Sequence, residues 1–297
     1  MILLLAWVYQ LHQISLINYR FFSFIVNLLW GFKSAKLGKK LNGDFYIFRD
    51  NTPFSFLFSA FYSQKCVVEF HDIPPLISRH IFKLGLLLSK KTICFAVTTK
   101  LSEDLYKKFG KLKNLDQIYT LHDGVDLKKF TKKKSAENRI PTLTYCGSLS
   151  KSKGIDLIID AAKLINNAKF VIIGGLKTEL DYYRKIAIKS GVNNVKFVGQ
   201  VNYSKVPELL NNSDILLLPA TANEIKSKEY TSAMKLFEYL SMGKPIIASN
   251  ISSNTEILKN EVNCLLFEPD DPESLAAKIC LLYTSDAADE RSSVDLG

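Results

Sequence analysis

ILLLPATANEIKSKEYTSAMKLFEYLSMGKPIIAS, residues 215–249, contains one unit of strand, loop, helix and strand. Ile215–Leu218 is an apolar run closed by Pro219, the form of a short strand buried on both faces. A polar loop follows from Ala220 to about Tyr230. Thr231 or Ser232 can cap the next helix, and Gly243 ends it before a strand at Pro245–Ala248. At about 100° per residue, Leu236, Phe237 and Leu240 share one arc, and Lys235, Glu238, Tyr239 and Met242 share the opposite one. A helix N-terminus after a parallel strand is where an α/β protein binds an anion. A carboxylate further along such a helix can accept hydrogen bonds from a ribose diol. Taken alone, the stretch also fits an ordinary amphipathic helix with its charges in water.

Outward from this unit, apolar runs alternate with helical patterns along the whole chain, as in parallel sheets covered on both faces. The first half predicts strands at Phe45–Phe48, Cys66–Phe70, Thr92–Val97 and Gln117–Leu121, with helices near 10–37, 54–64, 76–90 and 99–109. Ser102-Glu103-Asp104 suits a helix N-terminus. Residues 131–140, TKKKSAENRI, lose the pattern and read as an exposed linker before Pro141. Strands resume at Thr142–Cys146, Phe170–Ile173, Lys196–Val198, Ile215–Leu218, Ile246–Ala248 and Cys264–Phe267. Helices fit near 154–167, 178–190, 204–211, 231–242 and 272–280. The pattern predicts an α/β protein of two Rossmann-like domains, 1–138 and 139–279, with parallel sheets facing across a cleft.

The chain has 297 residues, enough for two such domains, and its 47% hydrophobic content marks it as globular. Its five cysteines stand without CxxC spacing, which argues against a zinc site or a disulfide framework and fits a reducing compartment. The net charge of +10 is uneven: residues 1–140 hold 22 Lys/Arg against 10 Asp/Glu, and the remainder 17 against 19. An anionic partner of the first half follows as one reading, a generally lysine-rich composition as the other. Phe21–Phe32 is an apolar run of twelve residues, short of the roughly 18 that cross a membrane. Met1–Ala6 has no basic segment before it to make a signal peptide.

Both ends carry expectations of their own. The tail 280–297, with CLLYTSDAADE at 280–290 and SVDLG at 293–297, back-translates to sequence resembling a transposase-type sequencing adapter. It is set aside as an artefact, and a longer natural chain is expected. At the start, no glycine precedes Gly31 to form the turn with which a doubly wound domain opens, so a truncation is expected there too.

Several smaller constellations point the same way. YCGSLSKSKG (145–154) follows the first strand of the second half. Its glycines allow close backbone approach, and Lys151 and Lys153 stand beside the start of a helix, which suits a pyrophosphate. By itself the stretch is read more simply as a plain strand-to-helix turn with solvated lysines. There is no Walker loop, GxGxxG or GxSxG. Val198-Gly199-Gln200-Val201 ends a strand with a turn that can present backbone groups to a base edge. Glu69-Phe70-His71-Asp72 closes a strand and sets His71 at its C-terminal end, where a cleft would lie, although a lone histidine also serves structure. No HxxxH or acidic cluster suggests a metal.

In this order the stretches resemble the retaining glycosyltransferases of the GT-B fold, family 4 type. The matching segments are EFHDIP (69–74), VTTKLSEDLYKKFG (97–110), LHDGVDLKKF (121–130), YCGSLSKSKGIDLIIDAAK (145–163), FVIIGG (170–175), VKFVGQV (195–201), SDILLLPA (213–220), YTSAMKLFEYLSMGKPIIAS (230–249), ISSNTEIL (251–258) and NCLLFEPDDPESLA (263–276). The resemblance implies a nucleotide-sugar donor on the second domain. Glu238 would hold the ribose hydroxyls, Lys153 would face the diphosphate beside Gly147, and the backbone of Gly199 and Val201 would flank the base. His71 would reach the transferring sugar. The departing diphosphate would be met by cationic side chains and helix N-termini, with no cofactor and no metal.

The chain departs from the family pattern at three places. Ser148 stands where an arginine is usual, with Lys151 or Lys235 as candidates to compensate. Tyr230 replaces the first of a pair of glutamates, with Glu229 one place off. Ser232-Ala233 replaces a Ser-Pro pair. The implied activity is transfer of a sugar from a UDP- or GDP-sugar to a saccharide or lipid-linked acceptor, with retention. The expected location is the cytoplasm, with the inner membrane face open to peripheral contact by the basic N-terminal half. A nucleotide-sugar epimerase of the same fold, or a catalytically degraded nucleotide-sugar-binding module, are the alternatives. No nucleic-acid partner is expected, because the basic residues lack a reader motif.

Overall fold

A computed structural model of the protein describes residues 16–89, 92–110, 118–132 and 140–282. Its contacts divide the chain into two compact units, Met1–Leu121 and His122–Gly297. Expectations for Met1–Ala6, for most of the stretch 131–140 and for the tail beyond 282 lie outside the described residues.

The first unit has strands β1 (Tyr46–Arg49), β2 (Cys66–Phe70), β3 (Thr92–Ala96) and β4 (Ile118–Thr120), all parallel and in the order β1-β2-β3-β4. They alternate with helices Pro53–Phe61, Leu76–Leu88 and Thr99–Phe109, after a long helix at Leu16–Leu41. Phenylalanine dominates the core. Phe82 stacks on Phe56 at 5.6 Å and meets Phe70 edge-on at 5.3 Å, and Phe70 lies 5.6 Å from Phe109. The Thr99–Phe109 helix starts earlier than its acids suggest. The Thr98 hydroxyl caps it by accepting from the Leu101 N–H at 3.2 Å, so Glu103 and Asp104 fall in the second turn. His71 follows the last residue of β2.

The second unit has strands β5 (Thr142–Cys146), β6 (Lys169–Ile173), β7 (Val195–Gly199), β8 (Ile215–Leu218), β9 (Ile246–Ser249) and β10 (Leu265–Phe267). They form one parallel sheet in the order β10-β9-β8-β5-β6-β7. Counted from β5, this is the 3-2-1-4-5-6 order of a doubly wound nucleotide-binding sheet. Strand alternation explains the unbroken apolar runs. Leu143, Tyr145, Ile215, Leu217 and Ile247 face one hydrophobic cluster; Cys146, Leu216, Leu218, Ile246 and Ala248 face the other. Helix Ile155–Leu164, after β5, packs on the first cluster, and helix Met234–Met242, after β8, packs on the second.

The boundary between the units moves from the expected 138 to Leu121/His122. The reason is packing: Phe130 is 1% exposed within the second unit's core. The Asn211 amide donates to the Thr131 carbonyl at 3.1 Å, and Lys132 Nζ donates to the Gly243 carbonyl at 3.3 Å. The last described helix spans 272–282, and Leu282 packs against the core, so the helix includes residues 280–282, which were set aside with the tail.

Candidate functional site

Because the helices after β5 and β8 leave toward opposite faces, the C-terminal ends of these neighbouring strands open into a crevice. A groove of about 700 Å³ occupies it. Gly147, Ser148 and Lys153 line it from the β5 turn, Gly174 and Gly175 from the β6 turn, and Gln200, Val201 and Tyr203 from the stretch after β7. Thr231 to Lys235 and Glu238 line it from the start of the helix after β8.

Local chemistry brings these elements together. Gly154 has φ +68°, and a Cβ there would stand 1.6 Å from the Pro219 carbonyl oxygen. Only glycine lets the Lys151–Lys153 turn close on the end of β8. The Ser152 carbonyl then accepts from the Thr221 N–H at 3.1 Å and the Ser227 hydroxyl at 3.4 Å, tying the β8 loop to the β5 turn. That loop, read as irregular from the sequence, holds a π-helical turn at Lys226–Tyr230.

Neither expected cap serves the Met234–Met242 helix. Thr231 donates its hydroxyl to the Lys226 carbonyl at 2.8 Å, and Ser232 Oγ accepts from the Asp123 N–H at 2.9 Å. Ala233 is the N-cap residue and no side chain caps the helix. The helix is pinned instead by Tyr239, which is fully buried and whose hydroxyl accepts from the Cys146 N–H at 2.8 Å.

The arc expected to carry charge into water therefore faces inward. Tyr239 and Met242 are completely buried, Glu238 is 6% exposed and Lys235 is half-buried. A helix lying over the sheet's C-terminal edge has contacts on both sides, so its polar arc meets the groove rather than solvent. Lys235 Nζ donates to the Tyr145 hydroxyl at 2.6 Å and sits 4.1 Å from that ring's centre. Tyr145 in turn donates to the Ser148 carbonyl at 2.6 Å. A Cβ on Gly147 would meet Lys235 Nζ at 2.8 Å, so this glycine makes room for the ammonium group.

Burial, reinforced by the like charge of Lys153, pushes Lys235 down to about 7. Burial also lowers Lys153. Burial raises the Glu238 carboxyl, against the opposing pull of a hydrogen bond from Tyr203 and the charge of Lys235. That bond runs from the Tyr203 hydroxyl to Glu238 Oε1 at 2.8 Å. Burial likewise pushes the Cys146 thiol up to about 11, keeping it protonated at neutral pH.

Of the residues singled out in the sequence, Gly147, Ser148, Lys153, Val201, Lys235 and Glu238 line this one groove. Lys151 does not; it is exposed on the outer side of its turn. Gly199 does not either, because its carbonyl accepts from the Gly174 N–H at 2.8 Å. Tyr230 is 9% exposed and outside the lining, as is Glu229, so no second carboxylate from that turn enters the groove. His71 follows β2 in the first unit, with Nε2 3.0 Å from Glu69 Oε1 but out of line for a hydrogen bond, and its backbone N–H donates to Asp50 Oδ2 at 2.9 Å. Sequence reasoning missed Tyr145, Tyr203 and Tyr239. Tyr145 lies in a buried strand and looks like core, Tyr239 was set on the arc of Lys235 and Glu238 without a role of its own, and Tyr203 carries no motif.

Among the described residues no group of three His, Cys, Asp or Glu side chains gathers as a metal cage, and no helix is long and apolar enough to cross a membrane.

The family model described as glycosyl transferases group 1 matches residues 127–294. An uncharacterized glycosyltransferase of Methanocaldococcus jannaschii is 26% identical over 274 residues, 89% of this chain and 64% of the relative. The putative teichuronic acid biosynthesis glycosyltransferase TuaH of Bacillus subtilis is 25% identical over 170 residues, 53% of this chain and 41% of its own. The chain thus spans about half the length of the curated relatives it matches, from 43% to 64% in the first three. Among solved structures, a glycosyltransferase from Rickettsia africae superposes with a TM-score of 0.72 at 20% identity, covering 88% of this chain and 72% of the other. Anabaena Alr3699/HepE in complex with UDP superposes at 0.68 with 21% identity, covering 86% and 72%. These likenesses show the GT-B fold. With a family model covering more than half of its residues, the chain belongs to the glycosyl transferases group 1 family.

Proposed function

We propose that this chain carries the donor site of a glycosyltransferase that moves a sugar from a UDP- or GDP-sugar to a saccharide or lipid-linked acceptor with retention of configuration. One observation carries the reading: Lys153, Lys235 and the Glu238 carboxylate line the same groove at the strand-order switch of a nucleotide-binding sheet. A diphosphate needs cations at one end of such a groove, and a ribose needs an acceptor for its diol at the other. When the glycosidic bond to the diphosphate breaks, negative charge grows on phosphate oxygens, and partly desolvated ammonium groups stabilise it more than water does. Lys153 and Lys235 take that role without a metal or other cofactor, and the uncapped N-terminus of the Met234–Met242 helix adds its dipole. His71 is assigned to the transferring sugar. Anabaena HepE, solved in complex with UDP and with UDP-glucose, supports a nucleotide-sugar donor. The basic first half is assigned to peripheral contact with an anionic membrane face.

Calorimetry with UDP and GDP tests the donor site. Saturable binding of one of them, lost in Lys153→Ala, is the expected result. An unchanged chain that binds neither at millimolar concentration would sink the proposal. Retention is read from the anomeric proton of the product by NMR.

A further inference from the structure

Tyr203 belongs to no motif, yet it is the side chain that reaches the site's carboxylate. It lies just after β7, in the short 3-10 turn Tyr203–Lys205, and that turn is fixed by the Asn202 side chain, which accepts from the Ser204 N–H at 3.0 Å. Its ring leans on buried Phe130 at 5.6 Å between centres, and its hydroxyl donates to Glu238 Oε1 at 2.8 Å. The other oxygen, Glu238 Oε2, has no hydrogen-bond partner among the described residues. Both Tyr203 and Glu238 line the groove.

We propose that Tyr203 is a positioning residue for the donor's ribose: its hydroxyl fixes one oxygen of Glu238 so that the carboxylate meets the ribose diol in a single orientation. This rests on the donor site proposed above. A ribose offers two adjacent hydroxyl donors, and a free carboxylate can rotate among several ways of accepting them. A carboxylate already held at one oxygen, by an aromatic side chain braced against the core, loses less freedom on binding. The bond also opposes the burial that raises Glu238. The other groups facing this carboxylate are Lys235 and Tyr239 on its own helix and Cys146 on β5, with Asp126 acting on Tyr203 from the preceding segment. None of them replaces the Tyr203 hydroxyl as a donor to Glu238 among the described residues.

The test is Tyr203→Phe in the full chain, which keeps the ring and its contact with Phe130. UDP and GDP, each beside its 2′-deoxy form, are titrated from pH 5 to 8, with Glu238→Gln and a thermal melt alongside. The expected result is a roughly tenfold weaker ribonucleotide affinity, as for loss of a hydrogen bond to a charged group. The preference for ribo- over deoxyribonucleotide should shrink. The acid limb of the binding curve should move to higher pH, because Glu238 loses a bond that favours its ionised form. Uniform weakening with an unmoved limb and an unchanged diol preference would leave Tyr203 a merely structural role and overturn the inference. So would identical binding by Tyr203→Phe where Glu238→Gln is weakened. An unchanged chain that binds no nucleotide would overturn the donor site itself, and this inference with it.

Discussion

Replacing Lys235 by methionine should abolish a proton uptake that accompanies donor binding. Burial next to Lys153 holds the free Lys235 at about 7, against 10.5 for an exposed lysine. A bound diphosphate offsets that depression by placing negative charge beside the buried ammonium group. If binding restores the ordinary value, linkage requires affinity to fall as pH rises above 7, by up to about tenfold per pH unit. With half the lysine already protonated at pH 7, the loss between pH 7 and 9 is roughly fifty-fold. Calorimetry in buffers of different ionisation enthalpy reads the same quantity directly. UDP-glucose is a suitable probe because its diphosphate does not titrate in this range. Uptake should be about half a proton at pH 7 and nearly one at pH 8.5. The empty protein must show the opposite sign. Between 7 and 10.5 its unfolded state holds a proton on Lys235 that the folded state does not, so folding stability gains from rising pH over the window in which donor affinity declines. Lys235→Met should flatten both slopes and weaken binding at pH 7. Equal uptake by the variant, or none by the unchanged protein, refutes the assignment of Lys235 to the phosphate.

Three further outcomes follow from the same geometry. Glu238→Ala should cut turnover by about a hundredfold or more while circular dichroism stays unchanged, since a carboxylate 6% exposed at a groove has little other work there; transfer at the original rate would reject it as the ribose ligand. Gly154→Ala places a methyl group 1.6 Å from the Pro219 carbonyl oxygen at φ +68°, so urea unfolding should show a loss above about 2 kcal/mol together with weakened nucleotide binding. Tyr239→Phe leaves the Cys146 N–H without its 2.8 Å acceptor inside the core and should cost about 1–3 kcal/mol in the same assay, with the donor helix loosened and binding reduced.

Much of this architecture was legible because the physics that makes it is local. Strands Cys66–Phe70, Thr142–Cys146 and Ile215–Leu218 have the bounds their apolar runs predict, since a strand buried on both faces admits few polar residues and its ends show as composition changes. The boundary at 138 failed for the opposite reason. Residues 122–132 look like a loop, and it is tertiary contacts that attach them to the second unit: the burial of Phe130 and the bonds of Asp123, Thr131 and Lys132. The helix caps failed similarly. Thr231 and Ser232 are good cap residues, but a π-helical turn and the distant Asp123 N–H claim their hydroxyls first. In the site, charged residues were visible because lysine and glutamate are conspicuous near glycine turns. The tyrosines that orient them were not, because a buried tyrosine in a strand or helix looks like any core aromatic until its hydroxyl's partner is known.

The position of Ser148 shows what such hidden contacts can do. The family pattern that the sequence resembles has an arginine in this turn, and a serine hydroxyl cannot supply its charge. The sequence left two lysines as replacements. The structure separates them, because Lys151 turns outward while Lys235 Nζ comes into the space that Gly147 leaves empty. Tyr145 makes this possible: its hydroxyl accepts from Lys235 and donates to the carbonyl of Ser148 itself, so one phenol links the cation to the turn that lacks one. On the proposed donor site, the substitute charge would arrive from the helix after β8 rather than from the turn after β5, and it would be desolvated where a guanidinium stays charged at any physiological pH. Restoring arginine at 148 while Lys235 is kept would crowd two cations against Lys153 and should lower Lys235 further. The double change Ser148→Arg with Lys235→Met should instead return phosphate affinity and remove its dependence on pH. If that double variant binds UDP-glucose no better than Lys235→Met alone, the two positions do not exchange roles.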